Sequence, residues 1–220
     1  EGTHKERRPN DQFYLKSGQE MAELFSDYPD AIENTITISG RCEFNIKTDS
    51  IYRFPGYEVP GGGTTISWLR KICEKAAVQK YGEVTAPVKE RMDKEFRLIE
   101  MHDLSGFLLV YHDIIQIAHE IQMDLGIVER GTTINDHMPG RGRGSSVALL
   151  VGYLIGLSHI DPLKFDLKLD RFLSEDIDGP PDIDIDFPRE IREELILRIH
   201  QMWGYEHAVL TGMISTYRIR

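Results

Sequence analysis

Three aspartates alternate with apolar residues near the C-terminal end of this 220-residue chain. Asp182, Asp184 and Asp186 are separated by isoleucines and followed by Phe187. In a strand, alternate side chains share a face, so this pattern predicts one apolar face and one carboxylate face. Like charges on one face repel each other, and carboxylate oxygens suit a hard cation such as Mg²⁺. The pattern therefore favours a metal site, and such carboxylates can bridge two Mg²⁺ ions for nucleotidyl transfer.

Two other interpretations of this acidic segment stay open. An edge strand can carry charges that discourage aggregation, although one or two charges usually serve that purpose. A calcium-binding loop would use the three aspartates as its first ligands and Glu193 as its twelfth residue. Its sixth position requires glycine, but Phe187 stands there and Pro188 follows. The catalytic metal site is favoured over both alternatives.

A glycine-rich basic turn, residues 140–146, precedes the acidic segment and leads into an apolar stretch that is predicted to be helical. Backbone amides that glycines leave accessible at the positive end of a helix bind anions, and Arg143 adds a formal charge. The lysine of a P-loop is absent, and Val147 stands where the dinucleotide fingerprint needs a third glycine. A phosphate cradle beside a carboxylate metal site is nevertheless what a nucleotidyltransferase requires.

The other reactive residue types give weaker signals. Arg171 places a further cation near the acidic segment, and a salt bridge to Asp170 or Glu175 is its structural alternative. The histidines show no HxH or HExxH spacing, so surface or core roles are expected for them. Cys42 and Cys73 form no CxxC pair, which favours a reducing, cytoplasmic environment over a disulfide framework.

The elements that must position these residues are mostly helical. A capping box at Ser17–Glu20 predicts a short first helix, and Pro29 opens a second one. A Pro/Gly-rich stretch over 48–65 then marks a boundary near residue 48. The remaining predicted elements are helices from Thr65 or Ser67 to Gly82, from Thr85 through Ile99, over Phe107–Leu125 and from Pro188 to Trp203, and strands over Asp182–Phe187 and Ala208–Ile214. The predicted fold class is therefore α+β (α/β), a small α+β core with helical additions.

Composition limits the function classes. Lys and Arg number 26 against 36 Asp and Glu, which gives a formal net charge of −10. Such acidity argues against one broad nucleic-acid-binding surface, although it allows a local one. No apolar run reaches the length of a membrane span, so no membrane association is expected.

Four motifs, taken in order, resemble those of the bacterial C-family DNA polymerases, the α subunit of DNA polymerase III. They are Gly142-Arg-Gly-Ser145, His159-Ile-Asp-Pro-Leu163, Asp170-Arg-Phe-Leu173 and Pro181-Asp-Ile-Asp-Ile-Asp-Phe187. The run from Asp178 to Asp186, together with Thr216-Tyr-Arg218, is closer to the error-prone branch. Upstream, Tyr14-Leu-Lys-Ser17 and Glu20-Met-Ala-Glu-Leu-Phe25 resemble the end of that family's N-terminal PHP domain.

The resemblance implies a palm domain of the DNA polymerase β-like nucleotidyltransferase type over residues 49–220, after the end of a PHP domain over 1–48. Asp182 and Asp184 would be catalytic metal ligands for two Mg²⁺ ions, with Asp186 as a supporting acid. Arg143, Gly144 and Ser145 would contact the incoming triphosphate, with Arg171 nearby. Primer-template DNA and deoxynucleoside triphosphates are the implied partners, and a sliding clamp or other replication and repair subunits would bind regions outside this chain.

The resemblance also implies that this chain is an inactive fragment. The family's third catalytic aspartate and its fingers lie beyond Arg220, and its PHP metal motifs lie upstream of Glu1. Residues 146–149 differ from the family's small residues, and the stretch 131–140 is longer than expected. Two alternatives remain: a nucleotidyltransferase that uses another acceptor, and a non-catalytic metal- or nucleotide-binding module.

Overall fold

In the computed structural model the chain divides into two units, Glu1–Ile51 and Tyr52–Arg220. The structure describes residues 10–45, 56–177 and 181–212. The first unit contains α1 (Gly18–Leu24) and α2 (Pro29–Arg41). The predicted capping box is confirmed, because Ser17 Oγ accepts from the Glu20 N–H at 3.2 Å and Glu20 accepts from the Ser17 N–H at 2.8 Å. Pro29 begins α2 as predicted, where its missing N–H costs no helical hydrogen bond.

Three long helices pack together in the second unit. They are α3 (Thr65–Tyr81), α4 (Ala86–Met101) and α5 (Ser105–Asp124). The Thr64 side chain caps α3 by accepting from the Ser67 N–H at 3.3 Å, and Gly82 ends the helix at a φ of +78° that favours glycine. All three predicted helices are confirmed, and α5 begins two residues before the predicted start.

The core of the second unit lies where α3, α4 and α5 meet the apolar stretch that follows the basic turn. That stretch forms a short 3₁₀ helix, Gly144–Ala148, and then α6 (Leu150–Leu154). The single helix predicted there is interrupted, because Leu149 has extended backbone angles. The largest fully buried side chains in this core are Leu69, Phe96, Leu98, Ile99, Leu104, Leu108, Leu109, Ile115, Leu149, Leu150 and Leu157.

Two very short strands make the described sheet. β1 (Arg141–Gly142) pairs antiparallel with β2 (Ile185–Asp186), so that Arg141 lies opposite Asp186 and Gly142 opposite Ile185. The strand predicted over Asp182–Phe187 is therefore wrong for all but two residues. After β1 the chain turns at Gly144, whose φ is +64°, and enters the 3₁₀ helix. The predicted alternation of buried and exposed side chains is confirmed although the segment is not a continuous strand. Ile183 is only 6% exposed, whereas the three aspartates are exposed.

The C-terminal part forms a 3₁₀ turn, Arg189–Ile191, and α7 (Arg192–Trp203), which ends at Gly204 as predicted. The second predicted strand is wrong over 208–212, where no regular structure forms and Val209 is 89% exposed. Its last two residues lie outside the described ranges. A strand needs a partner for its backbone groups, and among the described residues no segment pairs with 208–212. The described residues are thus mostly helical with a two-stranded sheet, in agreement with the α+β class.

Candidate functional site

The pairing of β1 with β2 brings the basic turn and the acidic segment together. Beyond the ladder, the Arg143 N–H donates to the Asp184 carbonyl at 3.0 Å. The Arg143 guanidinium also donates to the Asp186 carboxylate at 3.2 Å. Both side chains are well exposed, so this ion pair orients Arg143 more than it stabilises the fold. Main-chain hydrogen bonds therefore hold the two motifs side by side.

Glycines in the basic turn allow this close approach. The Gly142 N–H donates to the Leu157 carbonyl at 2.6 Å, and a Cβ at Gly142 would collide with the Leu157 oxygen. A Cβ at Gly140 would lie 2.7 Å from the Phe187 ring and 3.0 Å from the Asp186 carbonyl oxygen. These contacts require glycine because the obstacles include backbone atoms, which cannot rotate away.

Gly142→Ala should lower the free energy of unfolding of this chain by about 1–3 kcal/mol, because the added methyl group displaces β1 from the Leu157 carbonyl. Gly152→Ala is the matched control, since its Cβ would meet the Leu149 Cβ at an ordinary 3.5 Å. Urea unfolding followed by circular dichroism measures both variants. Equal midpoints for the two variants would contradict the assigned close contact.

The acidic segment presents its carboxylates to solvent and anchors its isoleucines in the protein. Ile183 belongs to the core, and Ile185 and Phe187 pack against it. The Tyr111 hydroxyl donates to the Ile183 carbonyl at 3.1 Å, which holds the backbone between Asp182 and Asp184. These exposed oxygen donors suit a hard divalent cation. Among the described residues, however, no three His, Cys, Asp or Glu side chains converge on one metal position.

The phosphate-contacting residues expected from the sequence lie at the start of the 3₁₀ helix. Gly144 and Ser145 are exposed, while Ser146 is buried and donates its hydroxyl to the Arg143 carbonyl at 2.6 Å. The element that begins here is thus a 3₁₀ helix and not the predicted α-helix. The glycine supplies the positive φ that turns the chain. The exposed residues Gly144 and Ser145 directly follow Arg143 in the sequence.

Arg171 is exposed, and the ion pairs suggested for it are wrong. Asp170 lies 3.5 Å from Lys94, and Glu175 lies 2.9 Å from Arg97. Among the described residues, an ion pair joins Arg143 to Asp186. No hydrogen bond or ion pair in the described ranges joins Arg171 to the basic turn.

A buried ion pair between Arg91 and Glu95 was not predicted from the sequence. The Glu95 side chain is 0% exposed and accepts from the N–H groups of Leu150 and Val151 at 2.9 and 2.8 Å. It also accepts from Arg91 Nε at 2.6 Å, and Arg91 donates through Nη2 to the Ala148 carbonyl at 2.6 Å. The pair therefore joins α4 to the end of the 3₁₀ helix and the start of α6.

Burial raises the pKa of the Glu95 carboxyl, and the hydrogen bonds from Arg91 and from the two backbone N–H groups oppose this rise. The sequence did contain a signal. Glu95 adjoins Phe96 and follows Met92 by three residues, on the buried side of α4. A carboxylate on the buried side of a helix needs hydrogen-bond donors. An arginine one turn before it can supply one donor, and unpaired N–H groups at the start of another helix can supply others.

Comparisons with known proteins identify the family of this chain. The sequence profile described as "Bacterial DNA polymerase III alpha NTPase domain" matches residues 67–220. The chain belongs to this family of bacterial DNA polymerase III alpha proteins, which confirms the resemblance carried by the four motifs.

Curated relatives refine this membership. The chain is 37% identical over 207 residues to a protein of Cutibacterium acnes and 34% identical over 207 residues to one of Nocardia farcinica, and these matches cover 94% and 93% of the chain. It is 35% identical over 212 residues, 96% of its length, to a protein of Sinorhizobium medicae. All three are named "Error-prone DNA polymerase", in agreement with the predicted branch. The chain spans 17–18% of the length of these relatives.

Proposed function

We propose that this chain is part of a DNA-directed DNA polymerase of the error-prone type, which adds deoxynucleotides to a primer 3′ end by nucleotidyl transfer. The observation that carries the proposal is the β1–β2 pairing, which places Arg143 of the basic turn against Asp184 and Asp186 of the acidic segment. Family membership supplies the acceptor, because the matched relatives are named DNA polymerases.

In this proposal residues 49–220 begin a palm domain of the DNA polymerase β-like nucleotidyltransferase type, and residues 1–48 end a PHP domain. The mostly helical fold with its small sheet is compatible with such a palm. Primer-template DNA and deoxynucleoside triphosphates are the substrates, and the protein works in the cytoplasm. A sliding clamp and other replication or repair subunits would contact parts of the polymerase outside this chain. In the described residues no helix combines the length and apolarity needed to cross a membrane.

Asp182 and Asp184 are the proposed ligands for Mg²⁺, with Asp186 as the supporting acid. All three carboxylates are exposed and supply the oxygen donors that Mg²⁺ prefers, so they fit the ion. Two carboxylates alone leave coordination positions that further ligands must fill. Bound Mg²⁺ would neutralise developing phosphate charge and activate the attacking hydroxyl. Because two carboxylates alone do not complete the coordination of the metal ions, the 220 residues alone should be inactive.

Arg143, Gly144 and Ser145 are the proposed contacts for the triphosphate. The Asp186 carboxylate holds the Arg143 guanidinium at the edge of the turn, so less side-chain freedom is lost when a phosphate binds there. Exposed groups at Gly144 and Ser145 supply neutral donors next to that charge. Arg171 adds a second proposed cation for the same anion.

Primer extension by the longer polymerase that contains this segment tests the proposal. Extension should require a template, the complementary deoxynucleoside triphosphate and a divalent cation, and it should stop when any one of them is omitted. Nucleotide transfer to an RNA or small-molecule acceptor without a template would favour the alternative nucleotidyltransferase. Binding of nucleotide and metal without any transfer would favour a non-catalytic module.

A further inference from the structure

The two aspartates that are proposed as metal ligands lie outside the described sheet. Only Ile185 and Asp186 of the acidic segment pair with β1, whereas residues 181–184 have no regular secondary structure. Mg²⁺ accepts only a nearly ideal octahedral arrangement of its oxygen ligands, so carboxylates that bind it need a fixed spacing. Contacts other than the two-residue ladder must therefore hold Asp182 and Asp184 in place.

Two hydrogen bonds from distant elements hold the backbone at these aspartates. The Tyr111 hydroxyl in α5 donates to the Ile183 carbonyl at 3.1 Å. The Arg143 N–H in the basic turn donates to the next carbonyl, that of Asp184, at 3.0 Å. The Ile183 carbonyl belongs to the peptide group that lies between the two proposed ligands. Its orientation therefore sets the direction of the Asp184 side chain relative to that of Asp182.

The Tyr111 hydroxyl is itself held in place by the packing of its ring. The ring lies edge-on to Phe107, one turn earlier in α5, with 5.0 Å between the ring centroids and 76° between the ring planes. Both rings pack against the main core, and Ile183 is only 6% exposed, which limits the access of water to its carbonyl. Loss of the hydroxyl would thus leave this carbonyl without a comparable donor.

The same helix also holds the chain that follows the acidic segment. Ile191 and Leu195 pack in one apolar cluster with three residues of α5. Arg198 in α7 donates to the carboxylate of Asp124, the last residue of α5, at 2.8 Å. One helix therefore anchors the chain at Ile183 and again from Ile191 onward, so the position of the acidic segment depends on α5.

We propose that Tyr111 is a positioning residue for the carboxylates of Asp182 and Asp184. Its hydrogen bond to the Ile183 carbonyl holds the two side chains in the arrangement that a divalent cation requires. The inference rests on the proposed function, because that function makes these aspartates the metal ligands. The hydroxyl proton is used by the Ile183 carbonyl, so Tyr111 acts through the backbone and is not itself a ligand.

Titration of this 220-residue chain with Mn²⁺ tests the proposal without any enzymatic activity. Mn²⁺ prefers the same carboxylate oxygens as Mg²⁺, and its unpaired electrons broaden the NMR signals of nearby amides. The Mn²⁺ concentration that halves the amide signals of Asp182 and Asp184 should rise about fivefold in Tyr111→Phe, the effect expected for the loss of one hydrogen bond. The amide of Asp166, an exposed carboxylate elsewhere in the chain, should keep its midpoint.

Tyr153→Phe is the matched control and should keep the midpoint of the unchanged chain. Tyr153 is also a half-buried tyrosine that packs against the main core, but in the described ranges its hydroxyl forms no hydrogen bond. Circular dichroism verifies that both variants are folded. If Tyr111→Phe does not fold, Phe107→Leu replaces it, because this variant keeps the hydroxyl and removes the ring that holds it, and it should raise the midpoint in the same direction.

An unchanged midpoint in a folded Tyr111→Phe chain, or an equal rise in Tyr153→Phe, would overturn the positioning role and leave the metal site intact. The chain with Asp182→Asn and Asp184→Asn separates this failure from a failure of the proposed function. If that double variant broadens at residues 182–186 as the unchanged chain does, the aspartates bind no metal, and both proposals fail.

Primer extension by the longer polymerase gives a second measurement. The Mg²⁺ concentration for half-maximal rate should rise about fivefold in Tyr111→Phe, and saturating Mg²⁺ should restore most of the rate, because the ligands themselves remain. Tyr153→Phe should keep the Mg²⁺ requirement of the unchanged enzyme. A loss of rate in Tyr111→Phe that saturating Mg²⁺ does not restore would contradict a role that acts through metal binding.

Discussion

Replacing Asp182 and Asp184 together with asparagine should reduce primer extension by the longer polymerase by at least about a thousandfold. Asparagine keeps the size of each side chain and removes the charge that a divalent cation requires. Both side chains are exposed, and the backbone between them is held by the Tyr111 hydroxyl, so the fold should persist. Steady-state extension of a labelled primer measures the loss, and circular dichroism measures the fold.

A matched double variant controls for the change in net charge. Asp166→Asn with Asp176→Asn also removes two exposed carboxylates from the second unit. Asp166 has a φ of +47°, which asparagine tolerates, so this control should keep both fold and extension rate. Normal extension by a well-folded Asp182/Asp184 variant would refute the proposed role of these carboxylates in metal binding.

Replacing Glu95 with alanine should lower the free energy of unfolding by about 3–5 kcal/mol. The substitution leaves the buried N–H groups of Leu150 and Val151 without their acceptor and Arg91 without its carboxylate partner. It also opens a cavity between α4 and α6. Because the same contacts hold the segment that follows the basic turn, the effect should reach the candidate site as well.

Urea unfolding of this chain measures the effect, with Glu90→Ala as the control. Glu90 is an exposed glutamate on the same helix, so its loss tests helix propensity and charge without the buried contacts. The control should change stability by no more than about 0.5 kcal/mol. A Glu95 variant as stable as the control would show that the buried pair makes no net contribution.

Local patterns in the sequence were sufficient for most helices. Ser17, Pro29, Gly82 and Gly204 act on the turn of backbone next to them, so the ends of these helices could be predicted without knowledge of the rest of the chain. Predictions that depend on a distant partner fared worse. The strand over Asp182–Phe187 shrank to two residues, and no strand formed over 208–212, because a strand is stable only where another segment pairs with it.

For the motif residues, too, the sequence predicted the features that depend on local residue type and missed those that depend on distant contacts. The types and spacing of Asp182, Asp184 and Asp186 indicated a carboxylate face, and the structure exposes all three. Nothing in the spacing could predict that Arg143 pairs with Asp186, because these two residues are far apart along the chain.

By itself the sequence thus determined the family, the helices and the chemical types available for a metal and a phosphate, since these depend on residue identity and local backbone preference. The tertiary structure alone decided which of those groups meet. It paired the basic turn with the acidic segment through two short strands, and it buried Glu95 against the backbone at the start of α6. Such contacts arise from packing between distant segments, which no local pattern encodes.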